Sequence, residues 1–289
     1  MLPSFIIVGA SRSGTTTMHQ VLRQHPSLFL PKNKELHFFS NAKNFNRGVD
    51  HYKKYFRSAE SQQIAGEISP PYFHKGITLD EHLHHHWDVE DDSASRIRAL
   101  LPEVKIIVTL RNPIDRAYSQ YWKNVGQGKE FASSFEDAID QELSLKRTHE
   151  TDQACWLYKN RYSVHVEHWL SLFPREQILF LVFEEWTQNP EKAFHDIYTF
   201  LGVNPIRITK ADLSVANSTR TQKGGGIFQA LVPKRSDSKF GKLYGKFATT
   251  PGYSQTMDSL LRAQLNEYFN EDIEKLERAL GFSLDIWRP

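Results

Sequence analysis

Short apolar runs set the frame of this chain. Phe5 to Val8, Val104 to Leu110 and Gln177 to Phe183 are nearly continuous hydrophobic stretches rich in β-branched and aromatic residues. Runs of that length, bounded by turn residues, read as strands buried on both faces. Ile64 to Ile68, ended by Ser69-Pro70-Pro71, is a further strand candidate. Between these runs the apolar residues recur at helical spacing. The pattern predicts helices over 14–25, 46–57, 95–101, 113–126, 134–147, 155–173 and from Pro190 to Leu201, with a long last helix over 255–280. His25-Pro26 closes the first of them, because the residue before a proline avoids the helical region. Gly202 and Gly281 stop two others. Residues 34–40 read as a short extended segment. Strands alternating with helices argue for an α/β fold with a central parallel sheet flanked by helices.

Composition narrows this frame. A chain of 289 residues allows one large α/β domain, so residues 1–289 are expected to form one. Thirty-six basic against 34 acidic residues leave a net charge of +2. That balance argues against general nucleic-acid binding, and any positive potential must be local. Phe5 to Val8 is far too short to span a bilayer, and no basic-then-apolar signal precedes it. The one cysteine, Cys155, has no partner for an internal disulfide, which fits a reducing compartment. A cytoplasmic enzyme, or a soluble domain of a larger one, is expected.

Two segments stand apart. Residues 74–95 hold His74, His82, His84, His85 and His86 together with four aspartates and few apolar residues. A metal site needs fixed ligand spacing, which a polar histidine run does not supply, so no metal is expected. A mobile lid over an acceptor pocket is the preferred reading, and deleting 78–92 without loss of turnover would sink it. Residues 203–252 form a basic loop region.

The candidate chemistry starts at residues 5–17. A strand, a glycine-bounded loop and a helix N-terminus make an anion site, where free backbone N–H groups and the helix dipole favour negative charge. Gly9 and Gly14 fit the spacing of the ATP-binding P-loop, but Thr15 stands where that loop carries lysine, and Arg12 is its only cation. A loop of this kind suits a nucleotide with a shorter 5′ chain. An ordinary capping turn is the alternative for this loop taken alone. A second motif follows the core strand ending at Leu110: Arg111-Asn112-Pro113-Ile114-Asp115-Arg116-Ala117-Tyr118-Ser119-Gln120-Tyr121. Arg111 lies at a strand's C-terminal end, where open α/β sheets bind ligands. Ser119 falls about two helical turns on, roughly 10 Å along the axis. That separation suits a second phosphate, gripped by the guanidinium and a hydroxyl. A third stretch, Lys34-Glu35-Leu36-His37-Phe38-Phe39, offers a base. In an extended segment Glu35 and His37 point the same way while Leu36 and Phe38 pack oppositely.

These motifs resemble those of the sulfotransferases that use 3′-phosphoadenosine 5′-phosphosulfate (PAPS). Arg12-Ser13-Gly14-Thr15-Thr16 is similar to their 5′-phosphosulfate loop, and Arg111 with Ser119 to their 3′-phosphate motif. Glu35-Leu36-His37-Phe38-Phe39 resembles a segment of the glycosaminoglycan-type members, the heparan sulfate N- and 3-O-sulfotransferases, while Gly66-Glu67-Ile68-Ser69-Pro70-Pro71-Tyr72 resembles more closely a segment of their bacterial small-molecule relatives. The resemblance covers most of residues 4–205. It implies a P-loop-like three-layer fold, PAPS as co-substrate with 3′-phosphoadenosine 5′-phosphate (PAP) as product, and no metal. It implies Glu35 as general base, His37 as its assistant, and Arg12 on the phosphosulfate. Ser13, Gly14, Thr15, Thr16, Arg111 and Ser119 would hold the nucleotide, and Arg220, Lys223 and Gly224 would close over its 3′-phosphate. Gly66-Glu67-Ile68-Ser69-Pro70-Pro71-Tyr72-Phe73 matches another family segment, with Ile68 where the family has lysine. That replacement puts a glycosaminoglycan acceptor in doubt.

The implied partner is a hydroxylated acceptor, or less readily an amine. Phe39, Glu67, Tyr72 and Lys123 are the candidate acceptor contacts. Phe38, Tyr52, Tyr55 and Phe73 are expected to make that pocket partly aromatic. Two other classes stay in view. An ATP- and magnesium-dependent kinase would carry a loop lysine, and a non-catalytic nucleotide-binding module would have no use for Glu35.

Overall fold

The computed structural model describes residues 1–75, 92–130, 132–144, 156–208 and 257–288. Most of the histidine-rich excursion proposed as a lid, and of the basic loop region, with Cys155, Arg220, Lys223 and Gly224, therefore lies outside the described residues. The described chain runs β1 (Phe5–Gly9), α1 (Thr15–Leu22), β2 (Leu28–Phe29), α2 (Ala42–Phe45), α3 (Val49–Lys53), β3 (Ile64–Ile68), α4 (Ser93–Leu100) and β4 (Lys105–Leu110). It continues through α5 (Pro113–Gly126), α6 (Phe135–Leu143), α7 (Tyr162–Leu172), β5 (Ile178–Val182), α8 (Phe183–Gln188), α9 (Pro190–Leu201) and α10 (Ser259–Leu280).

The five strands form one parallel sheet in the order β2-β3-β1-β4-β5. Their near-continuous apolar character follows from burial on both faces. Phe5 and Ile7 pack with Met18, Val21 and Leu22 of α1 and with Phe194 and Ile197 of α9. Ile6 and Val8, one residue out of phase, pack with residues of α4 to α7 and α10 on the opposite face. This is the three-layer P-loop-like arrangement. Each large side chain buried from α1 stabilises by about 1.5–3 kcal/mol. That packing fixes the N-terminus of α1 at the end of β1.

After β1 the chain turns toward β3 and β2, and after β3 it crosses to β4 on the other side of β1. The C-terminal ends of β1 and β4 therefore flank a topological switch point, the place where open α/β sheets take ligands. The glycine-bounded loop follows β1 and Arg111 follows β4, so both motifs open into one crevice.

Several elements depart from the sequence-based expectation. The two-residue β2 carries too little pattern to announce itself. The predicted helix over 155–173 is a short 3₁₀ turn at Tyr158–Asn160 followed by α7. Helix α8 begins at Phe183, directly where the expected strand ends. Residues 34–40 are irregular and end in a turn over 38–40, with Glu35 at φ 64° and His37 at φ 52°, and are not a strand.

Candidate active site

The loop after β1 is shaped from below. Ala10 N–H donates to Thr109 O at 2.7 Å, and Thr109 Oγ1 donates to Ser13 O at 3.1 Å. Trp186 Nε1 in turn donates to Thr109 Oγ1 at 3.0 Å. Gly14 is left-handed at φ 79°, and a Cβ there would lie 2.1 Å from the Trp186 ring. Only glycine meets both demands. Gly14 has no side chain to cap α1, so the first-turn N–H groups stay available. Ser13 Oγ is buried and has no hydrogen-bond partner among the described residues. An orphaned buried hydroxyl beside an uncapped helix N-terminus fits a bound anionic group. Thr15 is buried and Thr16 exposed at this mouth.

The second wall is the junction of β4 and α5. Asn112 caps α5, its Oδ1 accepting from Ile114 and Asp115 N–H, and Pro113 takes the first helical position. Arg116 faces inward, donating to Asn160 Oδ1 and Lys159 O at 2.6 Å each, and so bolts the 158–160 turn to α5. Asp115 pairs with Arg262 of α10. Arg111 donates to Arg12 O at 3.1 Å and lies 4.9 Å over the Phe183 ring. Ser119, buried on α5, accepts from Arg12 Nε at 2.9 Å. The helical spacing suggested that Arg12 and Ser119 serve opposite ends of a nucleotide. The structure joins the two side chains directly, with Arg12 left-handed at φ 71°.

The third wall is the turn carrying Glu35. Glu35 N–H donates to Ile68 O at 2.9 Å, which pins the turn to the end of β3. The amides of Phe38 and Phe39 donate to Tyr72 Oη at 2.8 and 3.3 Å. These bonds hold the backbone in its left-handed conformations, which otherwise cost on the order of 1–3 kcal/mol each. The Glu35 carboxylate and His37 imidazole do meet, at 3.9 Å between Oε2 and Nε2. The expected pairing therefore forms, by a tight turn and not by strand alternation. Glu35 Oε1 accepts from Lys34 Nζ at 2.9 Å, and the same ammonium reaches Thr16 Oγ1 at 3.2 Å. Burial pushes the Glu35 pKa up, but Lys34, Lys123 and His37 outweigh it and hold the carboxyl below its ordinary range. Lys123, exposed on α5, thus acts on the base across the mouth.

Glu67 and Tyr72 are not open to an acceptor. Glu67 is buried, accepting from Ser69 Oγ, from Tyr72 Oη at 2.7 Å and from Tyr52 Oη. Burial raises the Glu67 pKa, and the three hydroxyls offset only part of that. Phe38, Phe39, Tyr52 and Phe73 are likewise buried, with Phe38 stacked on Tyr52 at 4.3 Å. The expected aromatic acceptor pocket is the floor beneath the base turn. Alternating aromatic residues signal burial as readily as a pocket, and here burial wins. Lys34 is the polar group that sequence reasoning passed over. Its signal was a cation directly before the candidate base.

The described residues contain no cluster of three or more potential metal ligands, and no described helix is long and apolar enough to cross a membrane. The chain is similar to known proteins in sequence and in fold. A mouse bifunctional heparan sulfate N-deacetylase/N-sulfotransferase 3 is 29% identical over 297 residues, covering 99% of this chain and 31% of that protein. The human N-deacetylase/N-sulfotransferase 2 is 32% identical with the same coverage. The chain thus spans about a third of the length of these curated relatives. The crystal structure of a sulfotransferase from Alicyclobacillus acidocaldarius matches with a TM-score of 0.70 at 25% identity, covering 100% of both chains. Mouse sulfotransferase SULT7A1, complexed with PAP, shares the fold with a TM-score of 0.52 at 14% identity, over 96% of this chain and 87% of that one. The sulfotransferase domain model matches residues 2–272, and the chain belongs to that family.

Proposed function

We propose that this sulfotransferase moves the sulfuryl group of PAPS to a hydroxyl, or less readily an amine, of a small-molecule, lipid, polyketide or carbohydrate acceptor. The observation that carries this reading is the convergence of an uncapped helix N-terminus, Arg12, Ser119 and the Glu35 carboxylate at one crevice. The 5′-phosphosulfate would sit on the loop Arg12 to Thr16, with Ser13 Oγ and the first-turn amides as donors. The 3′-phosphate would draw on Arg111 and Ser119, which requires Arg12 to yield Ser119 when the nucleotide enters.

Glu35 serves as general base. Its carboxylate is held ionised by its cationic neighbours, so it is ready to take the acceptor's proton at neutral pH. His37, beside Oε2, orients it. Donors at the loop stabilise the charge that develops on the departing phosphate oxygen. The same proposal treats residues 1–289 as one domain and sets the reaction in the cytoplasm, on the strength of Cys155 lacking a partner cysteine. Arg220, Lys223 and Gly224 remain the proposed cover for the 3′-phosphate.

Calorimetric titration with PAP in the presence of a chelator tests the nucleotide assignment. The wild-type chain binds tightly, and Arg111→Ala weakens binding by about two orders of magnitude, the loss of one bidentate charge-assisted contact. Preference for magnesium ATP over PAP would overturn it.

A further inference from the structure

We propose that Lys34 is a catalytic residue whose ammonium passes from Glu35 to the leaving 5′-phosphate oxygen as the sulfuryl group departs. The assignment rests on the PAPS reading above and adds a group to its chemistry. Lys34 Nζ stands 2.9 Å from Glu35 Oε1 and 3.2 Å from Thr16 Oγ1, in the first turn of α1. It therefore touches the base and the anion cradle at once.

The lysine is built in, not draped over the surface. Its side chain is only 17% exposed. The backbone is fixed on both sides of it. His19 Nε2 donates to Pro31 O at 2.9 Å, tying the preceding residues to α1. Glu35 N–H, the next amide, is held by Ile68 O. Of the cations on the opposite wall, Arg12 Nε donates to Ser119 and Arg111 donates to the Arg12 carbonyl and covers Phe183, so Lys34 adds a separate charge beside the base. The end of β3 offers no charge, since Ile68 is apolar and buried.

An ammonium in contact with the base has two opposed effects. It keeps Glu35 ionised, and it also lowers the carboxylate's affinity for a proton. Transferring the ammonium to the cradle removes the second effect when it matters. In the balanced step an acceptor oxygen lone pair forms the new O–S bond. The S–O bond to the 5′-phosphate breaks, and its electron pair stays on the phosphate oxygen. The acceptor's proton goes to Glu35 Oε2, the oxygen that Lys34 does not hold. As negative charge builds on the phosphate oxygen, Lys34 is drawn to it and Glu35 recovers its basicity. Lys34 keeps all three of its protons and contributes charge alone.

The test uses Lys34→Met and Lys34→Arg beside the wild-type chain. PAP affinity is measured by calorimetry. Transfer is followed as single-turnover release of labelled sulfate from PAPS with water as acceptor, across pH. In Lys34→Met, PAP affinity drops by no more than about tenfold, while transfer falls by about 100- to 1000-fold, the usual loss for one charge-stabilising donor. Its acid limb moves to higher pH, because Glu35 keeps only His37 and Lys123 as cationic neighbours. Lys34→Arg recovers much of the rate. A lysine that serves only the resting base would move the acid limb and leave the rate on the pH-independent plateau unchanged, and one that merely braces the turn would lower affinity and rate together; either result overturns the assignment. So does a Lys34→Met chain that transfers at the wild-type rate. A wild-type chain that does not bind PAP overturns the nucleotide reading, and this assignment with it.

Discussion

The two walls that face each other across the crevice are built on different principles. The loop from Ala10 to Gly14 presents backbone amides and is shaped by a column of side chains beneath it, Thr109 on Trp186. The turn from Lys34 to Phe39 presents side chains, and its backbone is shaped by a buried carboxylate and its hydroxyls, Glu67 with Tyr72, Tyr52 and Ser69. Both walls hold left-handed residues, Arg12 and Gly14 on one side, Glu35 and His37 on the other. A backbone cradle tolerates changes in the side chains around it but no change at its glycine. A side-chain wall tolerates the reverse. The difference teaches that binding and chemistry should fail separately when the two supports are cut.

The sharpest break is Glu35→Gln. PAP affinity stays within a few-fold of wild type, while single-turnover sulfuryl transfer falls by about 1000-fold, within the range for loss of a general base. An equal loss of both would mean that the two walls are not separable. On the opposite wall, Gly14→Ala forces a Cβ into Trp186 and a left-handed alanine together. Strain and overpacking cost about 3 kcal/mol. Thermal melting reports this as a lower Tm, with PAP binding lost alongside it.

Tyr72→Phe cuts the support of the base turn without touching the crevice. Two buried amides lose their acceptor, at about 2 kcal/mol in total. Turnover falls more than PAP affinity does, whereas Tyr52→Phe, which leaves those amides bonded, lowers stability with less effect on turnover. If the two variants behave alike, Tyr72 has no positioning role. The smallest effect is a pH dependence at Glu67. Its folded pKa is raised, so the folded chain holds that proton more tightly than the unfolded chain. The contribution is fully present below the unfolded value, about 4.3, and is lost as pH rises through the folded value. The Tm of the wild type relative to Glu67→Gln therefore rises as the pH is lowered from neutral.

Much of this was legible in the residues. The apolar runs from Phe5, Ile64, Val104 and Ile178 became four strands of the sheet, because burial on both faces leaves no room for polar alternation. Helix α5 runs from Pro113 to Gly126 as expected, since Asn112 and Pro113 specify its start locally. The base turn was not legible. Glu35 does not favour a left-handed backbone on its own, and His37 does so only weakly. Their conformation comes from Ile68 O and Tyr72 Oη, more than thirty residues away in the chain. The aromatic residues near it misled for a related reason. Phe38, Phe39 and Tyr52 look the same in sequence whether they line a pocket or floor one. The direct contact of Arg12 with Ser119 also lay beyond a rise-per-residue estimate, which fixes positions along a helix but not how a loop side chain approaches it.

The junction behind Arg111 carries one more consequence. Glu184 accepts from Asn112 N–H through one carboxylate oxygen and from Trp287 Nε1 through the other, and the Trp287 carbonyl accepts from Asn112 Nδ2. The last described turn of the chain is thus a strap across the strand end that supplies Arg111. By thermodynamic reciprocity, whatever nucleotide occupancy does to that junction must be felt equally by the strap. The turn at Asp285–Trp287 becomes a reporter of an event it never touches. Hydrogen-exchange protection of the amides at residues 285–288 should change with PAP concentration, with a midpoint at the dissociation constant of the nucleotide.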